Sequence, residues 1–224
     1  MQPLRTEAII LRRTNYGEAD RILSFLTPER GKLSAIAKGV RRPKSKLAGG
    51  LELFAVCDVT LIEGRGELGV VTSARIQKFY GDILHDYDRM QLGYEMIKHI
   101  NRVTETVSEP DFYYLLRDGL KYLNELKLDW RLVELWFRLR FQALLGHGLN
   151  LATDIDSKPL EAESAYNFEF SDMAFVKHPS GKFKADHLKL LRLANIKNPA
   201  VLGQVSGVDA VMDDCLWLVR TFDQ

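Results

Sequence analysis

Residues 37–50, AKGVRRPKSKLAGG, carry Lys38, Arg41, Arg42, Lys44 and Lys46 and no acid. Widening the window keeps the bias. Between Glu29 and Glu52 stand seven basic residues, now including Arg30 and Lys32, and still no carboxylate. Cations without nearby carboxylates suit one chemistry well: they attract phosphates, and their binding to a polyanionic strand releases condensed counterions. The plainer alternative is a solvated loop that only keeps the chain soluble. Two features favour the first reading. The chain as a whole is balanced, with 31 Lys and Arg against 30 Asp and Glu, a formal net charge of +1. Yet residues 1–80 hold 14 basic and 8 acidic side chains (+6), and residues 81–224 hold 17 and 22 (−5). Such asymmetry points to a basic half that meets a polyanion. Pro43 stiffens the segment and lowers the entropy lost when it is ordered.

Other chemistry finds little support. The sequence has no GxxxxGK[ST] phosphate loop, no HExxH and no GxSxG. The glycines of GRGELG, residues 64–69, read as a hairpin turn, and His147 in GHGLN reads as a helix end. Asp213 and Asp214 read as a solvated helix face rather than a carboxylate dyad. A metal-dependent nuclease would need clustered acids, and the basic half offers none. The expectation is a protein that is not an enzyme, with no cofactor, no metal and no small-molecule substrate. No apolar run is long enough to span a bilayer, and the N-terminal apolar stretch is too short for a signal peptide. Cys57 and Cys215 lie far apart in apolar runs and read as buried free thiols, which suits a reducing cytoplasm.

The elements that would position the basic segment follow from periodicity. Residues 6–13, 20–27 and 32–38 read as three strands. From Leu51 the alternation is clear, with Leu53, Ala55, Cys57, Val59 and Leu61 on one face; Leu68, Val70, Thr72, Ala74 and Ile76 line the return strand after a turn at 63–67. Five antiparallel strands in this span suit a closed barrel of the oligonucleotide/oligosaccharide-binding (OB) fold, with a short helix near SKLAGGLEL. In such a barrel Tyr16 falls in the first loop and Arg65 in the last hairpin turn, both flanking the ligand groove. Tyr16 is the only aromatic expected to be exposed; Phe25, Phe54 and Phe79 are expected in the core or at an interface. After Phe79 the period becomes helical. Pro110 opens one helix, and Asp129 caps another that Gly146 or Gly148 ends. Arg131, Arg138 and Arg140 read as basic edges of that amphipathic helix. Residues 150–184 lose periodicity around a possible hairpin, and two helices close the chain. The fold class is α+β multidomain: an OB barrel over 1–80, then an α-helical domain over 81–224.

The stretches YGEADRI, GKLSAIAKGVRRPKSKLAG and LFAVCDVTLIEGRGELGVVTSA, in this order, resemble the N-terminal domain of the RecO family of bacterial DNA-repair recombination mediators. The resemblance is strong over residues 4–76 and fainter at LRFQALLGHGLNL. It implies binding of single- and double-stranded DNA, annealing of strands, and help for recombinase loading on coated single strands. It implies two protein partners, the RecR protein and the C-terminal tail of single-stranded-DNA-binding protein, and a cytoplasmic, nucleoid-associated location. It carries DNA contact to Lys38, Arg41, Arg42, Lys44 and Lys46, with Arg21, Lys32 and Arg65 as further candidates. The alternative is a protein-interaction adaptor whose barrel touches DNA weakly or not at all. One departure stands out. Many family members carry paired CxxC motifs after the GHGL helix, forming a zinc site, and residues 150–184 here contain no cysteine. His178 and His187 with Asp154, Asp156 and Asp172 make a poor tetrahedral set. Packing of Tyr166, Phe168, Phe170 and Phe175 is expected to hold this irregular subdomain instead.

Overall fold

The computed structural model describes residues 3–62, 66, 68–107 and 109–222. Five strands, β1 (Leu4–Tyr16), β2 (Asp20–Thr27), β3 (Gly31–Ala37), β4 (Ala55–Ile62) and β5 (Leu68–Phe79), close in the order β1-β2-β3-β5-β4. β1 pairs with both β2 and β4, so the barrel has no free edge. Only the β3–β5 contact is parallel. Alternation decides which residues fill the interior: Ala8, Ile10, Leu23, Phe25, Ala35, Ala37, Cys57, Val59, Leu61 and Val71 form one buried cluster. β1 reaches Tyr16, three residues further than the β-rich run suggests, because Thr14, Asn15 and Tyr16 still pair with Ile22, Arg21 and Asp20. Between β3 and β4 the expected short helix is a single 3-10 turn, Ala48–Gly50.

The chain divides into two compact units, residues 1–125 and 126–224. The change of periodicity near Phe79 therefore marks the end of the barrel and not of the first unit, which also contains α1 (Tyr87–Val103) and α2 (Pro110–Leu123). The reason lies on the outer face of β1 and β2. Ile9 and Leu26 point away from the interior yet are fully buried, so that face needs a cover. Both helices contact these strands. α2 is tied to β1 by the Tyr113 hydroxyl, which donates to Glu7 Oε2 at 3.1 Å; burial and then the Glu7 charge push the phenol's pKa up. α1 is tied through Phe54, whose ring meets Tyr94 edge-on at 5.0 Å. Phe25 and Phe54 are core residues as expected, but Phe79 is 45% exposed, since it sits at the last position of β5, beyond the barrel's interior.

The second unit holds α3 (Trp130–Leu144), the hairpin β6 (Tyr166–Glu169) and β7 (Ala174–Lys177), α4 (Ala185–Ile196), α5 (Pro199–Leu202) and α6 (Asp209–Thr221). Asp129 caps α3 by accepting from the Arg131 backbone N–H at 2.9 Å. Gly146, at φ +83°, ends it: its N–H donates to the Ala143 carbonyl, and that of His147 to Gln142, a Schellman arrangement. The short α5 has no periodic signal; Asn198 caps it and Pro199 starts it. The subdomain at 150–184 is organised by aromatic contacts. Phe168 meets Phe170, Phe175 and Phe222 at 5.0–5.7 Å, and Phe175 also meets Tyr166 and Phe183. Among the described residues, no group of three or more His, Cys, Asp or Glu could hold a metal ion. The two histidines nearest this subdomain already have partners. His187 Nδ1 accepts from the Lys184 N–H and its Nε2 faces Asp214 at 3.2 Å, while His178 Nδ1 accepts from the Ser180 N–H. Cys57 and Cys215 are free and buried, and burial pushes their thiols up to about 11 and about 12. No helix among the described residues is long and apolar enough to cross a membrane.

Candidate nucleic-acid interface

The basic segment leaves the barrel at the end of β3 and returns at β4. Three apolar anchors hold it against the core: Val40 and Leu51 are buried in the interior cluster, and Leu47 packs on it. With these side chains turned inward, Lys38, Arg41, Arg42, Lys44 and Lys46 are left exposed. Local turns shape the path between the anchors. Gly39 takes φ +63°, a left-handed conformation that glycine adopts at little cost; the Arg42 N–H then donates to the Gly39 carbonyl, and that of Ser45 to Arg42. At the far end Gly50 lies so close to β5 that a Cβ there would sit 2.3 Å from the Ala74 carbonyl oxygen. None of the five cations forms an ion pair with a carboxylate among the described residues.

The turn between β1 and β2 is the segment's neighbour. The Arg41 N–H donates to the Ala19 carbonyl at 2.9 Å, and its Nη1 donates to the Gly17 carbonyl at 3.4 Å. The Gly39 N–H donates to Asp20 Oδ1 at 2.7 Å. Glu18, Ala19, Asp20, Arg41, Arg42 and Pro43 together line a shallow cleft. Tyr16, 56% exposed, stands at the last position of β1 directly before this turn. Tyr16 is not alone in being exposed: Tyr87, Phe79 and Trp217 are as well.

The remaining candidates separate. Arg21 stands at the same end of the barrel, half-buried, with its Nε donating to Asn15 Oδ1 at 3.1 Å. Lys32 lies at the opposite end of β3, about 20 Å of strand away from Lys38. Its side chain is 17% exposed, and Nζ donates to the Asn101 carbonyl at the end of α1 and pairs with Glu105 at 3.4 Å. The structure does not bring it to the basic loop. Arg65 lies outside the described residues.

Residues that the charge pattern passes over lie beside the loop. Because Leu23, Phe25, Ala35 and Ala37 face inward, their neighbours face out. Thr14, Ile22, Ile36 and Val70 stand opposite one another across β1, β2, β3 and β5, making a half-exposed, largely apolar row. Arg12, Ser24, Ser34 and Leu68 form the next row. The alternation of DRILSFLT carries the signal for these positions, but only the strand order shows that they share a face.

In the second unit, by contrast, two of the three basic side chains on α3, Arg131 and Arg138, are engaged, while Arg140 Nε is buried without a hydrogen-bond partner among the described residues. Arg131 holds Asp129 at 2.7 Å and Asp209 at 2.8 Å, and Arg138 and Arg220 both hold the buried Glu134. Burial alone would raise the Glu134 carboxyl, but the Arg220 hydrogen bond and the two guanidinium charges outweigh it and leave the pKa below the ordinary value. Asp213 and Asp214 do not act as a pair: Asp213 faces Arg131 at 3.9 Å, and Asp214 takes Lys182 at 2.9 Å together with His187.

Strand order, closure and a cationic rim on the first unit define an OB-fold protein. Residues 1–80 match the family model described as recombination protein O, N terminal. The chain is 37% identical over 162 residues to the DNA repair protein RecO of Heliobacterium modesticaldum, a match covering 72% of this chain and 58% of the relative. It is 38% identical over 150 residues to the DNA repair protein RecO of Thermobifida fusca, covering 66% and 61%. The corresponding protein of Streptomyces avermitilis is 37% identical over 155 residues, covering 66% and 62%. Residues 1–80 therefore belong to the RecO N-terminal domain family, and the chain's matches span about three-fifths of the length of these curated relatives.

Proposed function

We propose that this protein acts in DNA repair and homologous recombination as a non-enzymatic mediator that binds DNA through its barrel. The observation that carries the reading is the loop at 38–46: five exposed cations, without carboxylate partners among the described residues, on a segment anchored at both ends. Anchoring lowers the entropy lost when a flexible loop orders on a ligand, so more of the electrostatic attraction appears as affinity. The half-exposed row of Thr14, Ile22, Ile36 and Val70 lies on the outer strand face, where an OB barrel takes a single strand's bases. Phosphates at the loop and bases on this row give a grip with little sequence preference, suited to single strands and, through phosphates alone, to duplex. Annealing follows if two complementary strands are held without their pairing edges being read.

The same reading assigns two protein partners, the RecR protein and the acidic C-terminal tail of single-stranded-DNA-binding protein, and a task of helping recombinase load on coated single strands, in the cytoplasm at the nucleoid. The relatives' shared name, DNA repair protein RecO, supports the repair role. The decisive experiment replaces Arg41, Arg42 and Lys44 by Ala and follows single-strand affinity against salt. Loss of three phosphate contacts should make the slope of log affinity against log salt shallower by about 2, at ~0.7 per contact. An unchanged slope would leave the barrel as a protein adaptor instead.

A further inference from the structure

Asp20 is a puzzle if the loop binds phosphate. It places a carboxylate in the same shallow cleft as Arg41 and Arg42, where its charge should oppose a polyanion. Its geometry supplies a reason. Asp20 Oδ1 accepts from the Gly39 N–H at 2.7 Å, at the left-handed residue where the chain turns out of β3 into the basic segment. Two further links run between the same two loops, from the Arg41 N–H to the Ala19 carbonyl and from Arg41 Nη1 to the Gly17 carbonyl. The β1–β2 turn thus holds the front of the basic loop by three hydrogen bonds, and Asp20 contributes the shortest. A charge-assisted bond of this length is stronger than a neutral one. Without it the Gly39 amide would turn to water, and the outgoing turn would have to be ordered again each time a strand bound.

We infer that Asp20 is a positioning residue for polyanion binding: it holds the basic loop in a binding-ready shape, and that benefit outweighs the repulsion of its own charge. The inference rests on the phosphate-binding reading of the loop. It makes a prediction of sign that electrostatics alone does not. Asp20→Asn and Asp20→Ala each remove one negative charge, so charge counting expects both to bind a fluorescent single-stranded oligonucleotide more tightly. If Asp20 positions the loop, the two variants part. Asn keeps an oxygen acceptor for the Gly39 N–H, and its affinity equals or exceeds that of the original protein. Ala has no acceptor, and its affinity falls, by about fivefold for a lost hydrogen bond of ordinary worth.

Anisotropy titrations over a salt series, with far-UV circular dichroism and thermal melting as folding checks, decide the matter. Equal tightening in both variants overturns the inference. Should Asp20→Ala fail to fold, Asp20→Glu serves: it keeps the charge and moves the acceptor, so weaker binding supports positioning and unchanged binding overturns it. The triple Ala variant of Arg41, Arg42 and Lys44 is titrated alongside. If its salt slope does not change, the phosphate reading itself has failed. If its slope shallows while Asp20→Ala still binds like Asp20→Asn, only the role of Asp20 has failed.

Discussion

The basic loop of the first unit and the paired cations of the second use positive charge in opposite ways. In the first, the cations of residues 38–46 project from an anchored loop with no acid in the surrounding sequence from Arg30 to Leu51. In the second, Arg131, Arg138, Arg220, Lys177 and Lys182 each meet a carboxylate of their own unit within 2.6–2.9 Å. Counting basic residues would have treated both regions alike. What separates them is the local supply of acids in the sequence, which decides whether a cation finds a carboxylate partner in its own unit.

If this contrast is right, damage to the second unit should appear as lost stability, and damage to the loop as lost salt dependence. The largest effect is expected from Phe175→Ala, which removes a fully buried ring that meets Tyr166, Phe168 and Phe183. Chemical denaturation should show a loss of about 3–5 kcal/mol. A chelator, on the other hand, should leave the melting temperature of the unaltered protein where it was, because rings rather than a metal organise residues 150–184. A chelator-induced drop would break this account.

Glu134→Gln comes next. It leaves Arg138 and Arg220 without their shared buried anion, at a cost of about 3 kcal/mol. The pH dependence has a definite sign. The folded carboxyl lies below its ordinary value, so its stabilisation is present above the unfolded carboxylate pKa of about 4.3 and is lost as pH falls through the lower folded value. Urea titrations between neutral pH and pH 3 should show an acid decline that the Gln variant lacks in part. The salt slope of DNA binding should be untouched.

Gly50→Ala tests the loop's far anchor. Its new Cβ would press on the backbone of β5 at Ala74, and thermal melting should report a loss of about 1–3 kcal/mol. Because the strain falls where the basic segment returns to the barrel, oligonucleotide affinity should drop with it. The smallest stability change, within about 0.5 kcal/mol per site, belongs to the Ala replacements at Arg41, Arg42 and Lys44. That variant alone should shift the salt slope. A triple variant that unfolds, or a Glu134 variant that alters the slope, would erase the distinction between the units.

Much of this architecture was legible in the chain. Alternation from Leu53 onward marked β4 and the presence of β5, Asp129 and Pro110 marked helix starts, and the acid-free run around Arg41 marked the exposed loop, because each signal is written in neighbouring residues. The single face expected for Leu68, Val70, Thr72, Ala74 and Ile76 is broken by a register shift that puts Val71 in the core and Leu68 and Val70 outside. Lys32 shows where such reading ends. It belongs to the same run, yet its ammonium is taken by Asn101 and Glu105, some 70 positions along the chain. Glu134 likewise finds Arg220 across 86 positions.

Local sequence by itself determined the strands, the helix caps and the basic character of the segment, since backbone preference and side-chain charge act over a few residues. Only the tertiary structure decided which cations stay available, that α1 and α2 belong with the barrel, and that Ile22, Ile36 and Val70 share an outward face. Those outcomes depend on which distant segments closure of the barrel and burial of apolar surface bring together, and no short stretch of sequence contains them.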